Sequence, residues 1–508
     1  MESSWGTFEI LCGIVALIIS LYYYFTLPFN FWKSRGVQGP QPKPGFGNIT
    51  NVALAKISMS DYITKLYNDY KDERLIGIFA RRTPLLIIKD LDLIKDVLIK
   101  DFTKFPNRGL PVVEKMEPLS QHLFNLESKR WRPLRMKLSP VFTSGKLKEM
   151  FSLISECADH LVQYMEKIAS LDEPVVECRE LTAKYTTDVI GSCAFGLEMN
   201  ALSNEDSEFR KMGRKVFSPS WPNVLRTRIR TMFPKLYDML GYILPQMEIT
   251  KFFTSIVTET MNYRDTNNVT RNDFIDKLRE LKNHPDKLGD VDLTDTLIAA
   301  QAFVFFLAGF ETSSTTISNT LYELALNQKI QDKLRKEIDE TYAKYGKDLT
   351  YDNIKQMDYL DKVFKETLRK YPPVTVLMRQ SVSNYTFDNS TKVSIPKGQK
   401  IWIPAFAIHR DPNFYPQPDV FDPERFNEEA VQSRHPMTYL PFGDGPRNCI
   451  GARFAVHQTK LGLVKILRNY KIDVCAKTPI PYVSDPKTFL LLVPKGGIHL
   501  KIIKINRT

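Results

Sequence analysis

The sequence predicts a mainly α-helical protein with small β-sheets (α+β), preceded by one N-terminal transmembrane helix. Three observations point there. Ile10 to Trp32 is a stretch of 23 residues without a charge, long enough to cross a bilayer. Residues 141–290 carry mostly amphipathic helix patterns, and Leu297 to Phe310 is an apolar run broken only by Gln301. Strand patterns are short and scattered, as in Leu75 to Phe79, Leu85 to Ile88 and segments near the C-terminus.

Composition narrows the classes. At 508 residues, 43% hydrophobic and 25% charged, the chain can bury a large core, and long disordered stretches are not expected. The net charge of +12 fits an anionic membrane surface or an acidic protein partner, and no nucleic-acid motif accompanies it. The cysteines Cys12, Cys157, Cys178, Cys193, Cys449 and Cys475 are scattered, with no C-x-x-C pair or zinc spacing, which favours free thiols in a reducing compartment.

Within the N-terminal apolar stretch, the aromatic run Tyr22 to Phe25 suits a membrane interface. A cleaved signal peptide would begin with a basic region; here Glu2 and Glu9 precede the stretch, while Lys33 and Arg35 follow it. The segment therefore reads as an uncleaved anchor with the body in the cytosol. Pro40, Pro42 and Pro44, with Gly39, Gly45 and Gly47, form a stiff extended connector. The chain divides into an anchor (1–32), a proline-rich hinge (33–48) and a body (49–508). The sequons at Asn48, Asn268, Asn384, Asn389 and Asn506 fall on the cytosolic side, so no glycan is expected on them.

The two strands after residue 74 and the helix behind them begin a small β-rich lobe. Phe105 to Phe124 has no period, and a loop that long inside a compact body is functional or mobile. Trp131 and Arg135 lie one helical turn apart, with Pro133 tolerated in a first turn; a solvated basic helix would look the same. Met199 to Thr250 is punctuated by Pro219, Pro222, Pro234 and Pro245. Its apolar residues Trp221, Met232, Phe233 and Leu236 are expected in the core, with a membrane surface as the alternative.

Leu297 to Phe310 is too short for a second span and better suits a helix buried all round. Gly309 within it costs about 1 kcal/mol against alanine and so needs a reason. The hydroxyl cluster Thr312 to Thr316 can bond to the backbone one turn back and bend a helix. Glu366 and Arg369 share a helix face; such pairs are commonly on the surface, but the apolar Val374 to Met378 points to burial. Tyr385 to Phe387, Lys392 to Ile395 and Lys400 to Ile403 read as a hairpin-rich sheet. Phe489 to Val493 and Ile498 to Ile505 read as a hairpin across Pro494 to Gly497.

The most informative stretch is Pro441 to Gly451, where three glycines and two prolines in eleven residues demand a tight loop. Helical spacing begins immediately afterwards, so Cys449 lies at a helix N-terminus, where orphan N–H groups, the dipole and Arg447 stabilise a thiolate. A lone cysteine is more often a small buried hydrophobe. The string Phe442, Gly445, Arg447, Cys449, Gly451 nevertheless resembles the haem-ligand loop of the cytochrome P450 family.

Other motifs carry the same resemblance. Ala308-Gly309-Phe310-Glu311-Thr312 is similar to the family's oxygen-activation motif, and Glu366-x-x-Arg369 with Pro423-Glu-Arg-Phe426 to its structural clamp. The hinge resembles that of microsomal members, and the motif wording is closest to insect microsomal members of xenobiotic-metabolising type (family 6-like). The resemblance implies the cytochrome P450 fold as one haem-thiolate catalytic domain, with haem b (iron protoporphyrin IX) between a long central helix and the cysteine loop. It implies Cys449 as the axial ligand of the metal, Phe442 shielding the sulfur, and Arg447, Trp131, Arg135 and Arg379 at the haem propionates. Ala308 and Gly309 would leave room for bound O2, and Thr312 and Glu311 would deliver protons to it. Glu366, Arg369 and Arg425 would form a clamp behind the haem loop. The Phe105 to Phe124 loop would cover the distal side, residues 199–250 would form a channel lid, and Phe124, Phe303, Phe306, Val374 and Leu490 are pocket candidates.

The implied reaction is insertion of one atom of O2 into an apolar substrate. Electrons would come from NADPH through a separate NADPH–cytochrome P450 reductase, since no dinucleotide motif occurs here. Cytochrome b5 is a further candidate partner, and membrane lipid and a lipophilic substrate complete the set, on the cytosolic face of the endoplasmic reticulum. Two alternatives stand beside it: a haem-thiolate isomerase or dehydratase acting on peroxides, and a haem carrier or sensor without catalysis.

Overall fold

Thr294 caps a helix of 32 residues, Asp295–Leu326, by accepting a hydrogen bond from Leu297 N at 3.1 Å. The helix is apolar on nearly every face, so it runs through the core rather than over it, and the other elements are arranged around it. Like the N-terminal helix it is long and apolar enough to cross a membrane, but it is mostly buried inside the body. The computed structural model describes residues 2–203, 207–217, 220–244, 247–284, 286, 291–387 and 392–506. Pro219, Pro245 and the Asn389 sequon lie outside the described residues.

Two helices flank the central one. Cys178–Ile190 donates the Thr186 and Thr182 hydroxyls to the Phe310 and Ser314 carbonyls at 2.9 and 3.0 Å. Ala452–Asn469, the helix after the cysteine loop, donates Gln458 Nε2 to the Gly309 carbonyl at 3.0 Å. The expected back-bonding of the hydroxyl cluster is present: Thr312 and Thr316 bond to Ala308 and Thr312 carbonyls at 2.7 and 2.8 Å, and the helix continues unbroken.

Strands β1 (Leu75–Ala80), β2 (Thr83–Ile88), β3 (Val175–Glu177), β4 (Leu377–Gln380), β5 (Tyr385–Thr386), β6 (Ser394–Ile395), β7 (Lys400–Ile403), β8 (Tyr470–Val474) and β9 (His499–Lys504) form small sheets. One sheet has the order β1-β2-β7-β4, with only the β2–β7 pair parallel; β3-β9-β8 and β5-β6 form the others. The expected C-terminal hairpin is not formed. β9 pairs with β8 and β3, while Asp485 N bonds to the Val493 carbonyl at 2.8 Å, because the chain after Gly497 turns away against Glu177. Lys400 to Ile403 likewise joins the larger sheet instead of extending the β5–β6 hairpin.

The N-terminal helix, Glu2–Thr26, is exposed from Gly6 to Tyr24, as an anchor requires. Trp32 behaves differently from the anchor in which the hydropathy pattern places it. It is buried in the body, where its Nε1 donates to the Ile78 carbonyl at 3.0 Å. The hinge is laced to β1 as well, with Asn48 Oδ1 accepting from Phe79 N at 2.8 Å.

Behind the cysteine loop, Glu366 and Arg369 are fully buried and bonded in two places, at 2.7 and 2.9 Å. Arg425 lies 3.5 Å from the same carboxylate, and Arg369 also binds the His409 and Pro418 carbonyls at 2.9 and 2.7 Å. A carboxylate held between two guanidiniums, with the donors of Arg369 satisfied, is the arrangement in which burial of an ion pair is tolerable.

The segment expected to form a lid contains helices Glu208–Phe217, Trp221–Met232 and Pro234–Leu240. Contrary to the core expectation, Trp221, Phe233 and Leu236 are exposed, at 62%, 41% and 52%. The inner face of the Trp221–Met232 helix is taken by Val224 and Arg228 instead, which turns the large apolar side chains outward.

Candidate functional site

The loop from Pro441 to Gly451 contains no regular element. Its base is closed by Cys449 N donating to the Phe442 carbonyl at 2.9 Å. Gly445 sits at φ +71°, and a Cβ there would come within 1.9 Å of the Leu98 carbonyl oxygen, so only glycine fits. The helix starts one residue after Gly451, which places Cys449 just ahead of its N-terminus as expected. Burial pushes the Cys449 thiol up, and the Gly451 N–H and the charges of Arg135 and Arg108 oppose the rise. Yet Cys449 is exposed. Both hold together only where a residue deep in the protein faces an internal cavity.

Four guanidiniums surround that cavity. Arg447 is buried over the Trp131 ring at 4.0 Å and donates to the Pro106 and Leu126 carbonyls at 2.8 and 2.7 Å. Arg135 places both terminal nitrogens on Asn448, at 3.0 Å to its carbonyl and 2.9 Å to Oδ1. Arg379 donates to the Met378 carbonyl at 2.8 Å, while its buried Nε has no partner. Arg108, for which the sequence offered no motif, donates to the Phe124 and Arg447 carbonyls at 2.9 Å each.

Burial lowers Arg379 to about 10. Burial, then Arg379 and Arg135, lowers Arg447 to about 9. Arg108 is pushed well down by burial and by the other three arginines. Among the described residues none of the four is paired with a carboxylate. Concentrated buried positive charge beside a thiol, with an orphaned Arg379 Nε, fits a cofactor that carries two carboxylates and accepts a sulfur ligand.

The central helix opens one face to the interior. Ala308 is exposed although it lies mid-helix, and Thr312, one turn on, is half-buried, whereas Phe306, Phe310 and Glu311 are buried. Gly309 also has a packing reason. A Cβ on it would lie 2.2 Å from Ile190 Cδ1, so glycine permits close packing of the Cys178–Ile190 helix, and Ala308 is the residue on the open face. Glu311 does not share that face with Thr312. It is ion-paired to Arg179, whose guanidinium burial would lower but Glu311 holds above its ordinary value. Arg179 carried no sequence signal, nor did Gln458, a glutamine within an amphipathic pattern.

Of the apolar candidates, Phe306 is fully buried among Phe209, Phe253 and Phe310, with ring centroids 5.0–5.7 Å away, and lines nothing. Phe124 lies under Arg108 at 4.3 Å, and Phe303 is half-buried against Phe253. Val374 bridges Leu491, beside Leu490, and these residues are half-buried.

Comparison with known proteins gives one answer along the chain. The family model for Cytochrome P450 matches residues 37–502. Cytochrome P450 6A1 of Musca domestica is 42% identical over 501 residues, covering 97% of each chain. Probable cytochrome P450 6a14 of Drosophila melanogaster is 43% identical over 509 residues, 97% of this chain and 99% of that one. Cytochrome P450 6a2 of the same fly is 40% identical over 509 residues, 98% and 100%.

Proposed function

The chain belongs to the cytochrome P450 family and is a haem monooxygenase, and from that premise we propose that it oxygenates lipophilic small molecules: xenobiotics, plant secondary compounds or endogenous lipids. The electrons come from NADPH through NADPH–cytochrome P450 reductase, with cytochrome b5 as a candidate second donor. The observation that carries the reading is the open Cys449 thiol among four arginines that have no acidic partner among the described residues.

Haem b, when bound, supplies the iron chemistry that activates O2. Cys449 is the residue that would ligate the iron, oriented by its own N–H on the Phe442 carbonyl and by the Gly451 N–H toward its sulfur. Arg447, Arg135 and Arg379, with Arg108 and the Trp131 ring beneath Arg447, would hold the propionates. Ala308 leaves space at the open face of the central helix. Thr312 Oγ1, now donating to the Ala308 carbonyl, would hold a proton there, while Glu311 is ion-paired to Arg179 on the other face.

The domain organisation we propose is an anchor within residues 1–32, a hinge over 33–48 and a catalytic domain over 49–508. Lys33 and Arg35 after the apolar helix favour a cytosolic catalytic domain on the endoplasmic reticulum. The test is the spectrum of the reduced, CO-bound full-length protein, with and without Cys449→Ser. A red-shifted Soret band that is lost in the variant is the expected result. Haem-loaded wild type lacking that band would overturn the assignment.

A further inference from the structure

An apolar cavity lies between the central helix and the two helices that flank it. Its walls include Phe305 of the central helix, Ile190 at the end of the Cys178–Ile190 helix, Phe454 of the Ala452–Asn469 helix, and Phe142, Met150 and Cys193. Its free volume is about 20 Å³, room for a diatomic molecule but not for a lipophilic substrate. Every lining side chain is apolar except for the sulfurs of Met150 and Cys193, and the Cys193 thiol is turned to the Met150 carbonyl, 3.9 Å from Sγ. A trapped water needs about two to four polar partners, and these side chains offer none, so the cavity stays dry.

The local structure keeps this space open. The Cys178–Ile190 helix runs on into a π-helical turn, Gly191–Phe195, which is wider than an α turn and of a kind that gathers at functional sites. Phe305 is fixed between Phe142, stacked on it at 5.1 Å, and Phe274, at 4.0 Å between ring centroids. Phe305, Ala308, Gly309 and Thr312 follow one another at helical spacing, so they share one stripe of the central helix. The cavity wall and the open face at Ala308 are therefore one turn apart, about 5.4 Å along the axis. Ile190 stands between them, lining the cavity and closing over Gly309, where a Cβ would lie 2.2 Å from its Cδ1. On another side the cavity abuts the cysteine loop, since a Cβ on Gly451 would lie 4.0 Å from Phe142.

We propose that this cavity is a docking site for a small apolar gas, dioxygen during turnover, and that Ile190 gates its passage along the central helix to the open face at Ala308. The proposal deepens the monooxygenase reading and rests on it. O2 carries no charge and no strong hydrogen-bonding group, so it leaves water for such a space without the desolvation cost that a polar ligand would meet. Because residue 309 has no side chain, the barrier at that point is the Ile190 side chain, and side chains change rotamer far faster than packed helices part.

The test uses full-length, haem-loaded protein in phosphatidylcholine nanodiscs, reduced and bound to CO, with xenon as the probe gas. The methyl resonances of Met150 and Ile190 are followed as xenon pressure rises, in wild type and in two variants that fill the cavity from its wall, Ala194→Leu and Cys193→Met. Both methyls should shift in wild type and stay in place in the filled variants. CO rebinding after photolysis should be at least about threefold slower in each filled variant, and the KM for O2 should rise by about as much with kcat at saturating O2 retained. Ile190→Val should speed CO rebinding, and xenon should slow it in wild type but not in the filled variants.

No xenon shift at Met150 or Ile190 would sink the proposal, because no gas site then exists. Xenon shifts with CO rebinding and the KM for O2 unchanged in both filled variants would sink it too, and the cavity would be a packing void off the path. Should both filled variants misfold, the effect of xenon on CO rebinding in wild type still decides. The CO spectrum separates the two levels. Where the reduced protein shows its red-shifted Soret band, these losses count against gas docking alone; where haem-loaded protein shows no such band, the monooxygenase reading fails with it.

Discussion

Arg135 grips Asn448 twice, at its carbonyl and at Oδ1, one residue before Cys449. The basic helix Ser128–Leu138 is thereby fastened to the cysteine loop from across the chain, and Arg447 reaches back over Trp131 from the loop to that helix. Arg135→Gln should therefore loosen the cofactor more than the fold. We expect haem transfer to an apo-globin acceptor roughly tenfold faster than in wild type, on the scale of one charge-assisted bond. An unchanged transfer rate would remove Arg135 from the cofactor site.

Thr312→Ala deletes the hydroxyl on the open face of the central helix and its bond to the Ala308 carbonyl. Consumption of O2 and NADPH should continue while product formation falls, with the difference recovered as peroxide. Full coupling in the variant would show that Thr312 Oγ1 holds no proton the reaction uses.

Gly309→Ala tests why glycine stands there. Alanine gains about 1 kcal/mol of helix propensity but forces its methyl onto Ile190, and overpacking of a tight core typically costs about 1–3 kcal/mol. A net loss of stability is expected, recovered in part when Ile190→Val removes the nearer carbon, Cδ1, and leaves Cγ1 at 2.8 Å. If the single variant keeps its melting temperature and loses activity instead, the glycine serves the reaction rather than the packing.

Glu366→Gln leaves Arg369 buried with a weakened partner. Removing one member of a buried pair costs about 3–5 kcal/mol, so poor haem incorporation and early chemical denaturation should accompany it. Wild-type stability would show that the clamp does not hold the loop.

Asp276 carries a pH signature. Burial raises its carboxyl, but Arg264 and the N–H groups of Arg271 and Asn272 outweigh that and hold it below its ordinary value. A carboxylate held down in the folded state stabilises fully above its unfolded value and loses that contribution as pH falls from there through its lower folded value. The stability gap between wild type and Asp276→Asn in urea should begin to narrow below about pH 5 and keep narrowing as the pH falls past about 4. A gap independent of pH would mean the carboxylate is not held down.

Local identities at fixed spacing made much of the site legible. Cys449, Gly445 and the Glu366–Arg369 pair each stand in a contiguous string whose geometry follows from chain chemistry. Partners brought from afar were not legible. Arg179 meets Glu311, Gln458 meets Gly309 and Arg108 meets Arg447 only through the fold, and each is an ordinary polar residue in its own segment. The C-terminal hairpin failed for the same reason, since strand propensity cannot say which strand β9 will find. Trp32 looked like lipid-facing surface because hydropathy does not distinguish a bilayer from a protein core.

Trp32 also fixes how the molecule stands. It is seated under β1 only six residues beyond the end of the N-terminal helix at Thr26, and the hinge behind it is stitched down. So short a tether reaches about 20 Å even when fully stretched, less than the width of a small domain. The body is moored rather than leashed. Trp32 and the contacts behind it limit how far the body can turn about the apolar helix.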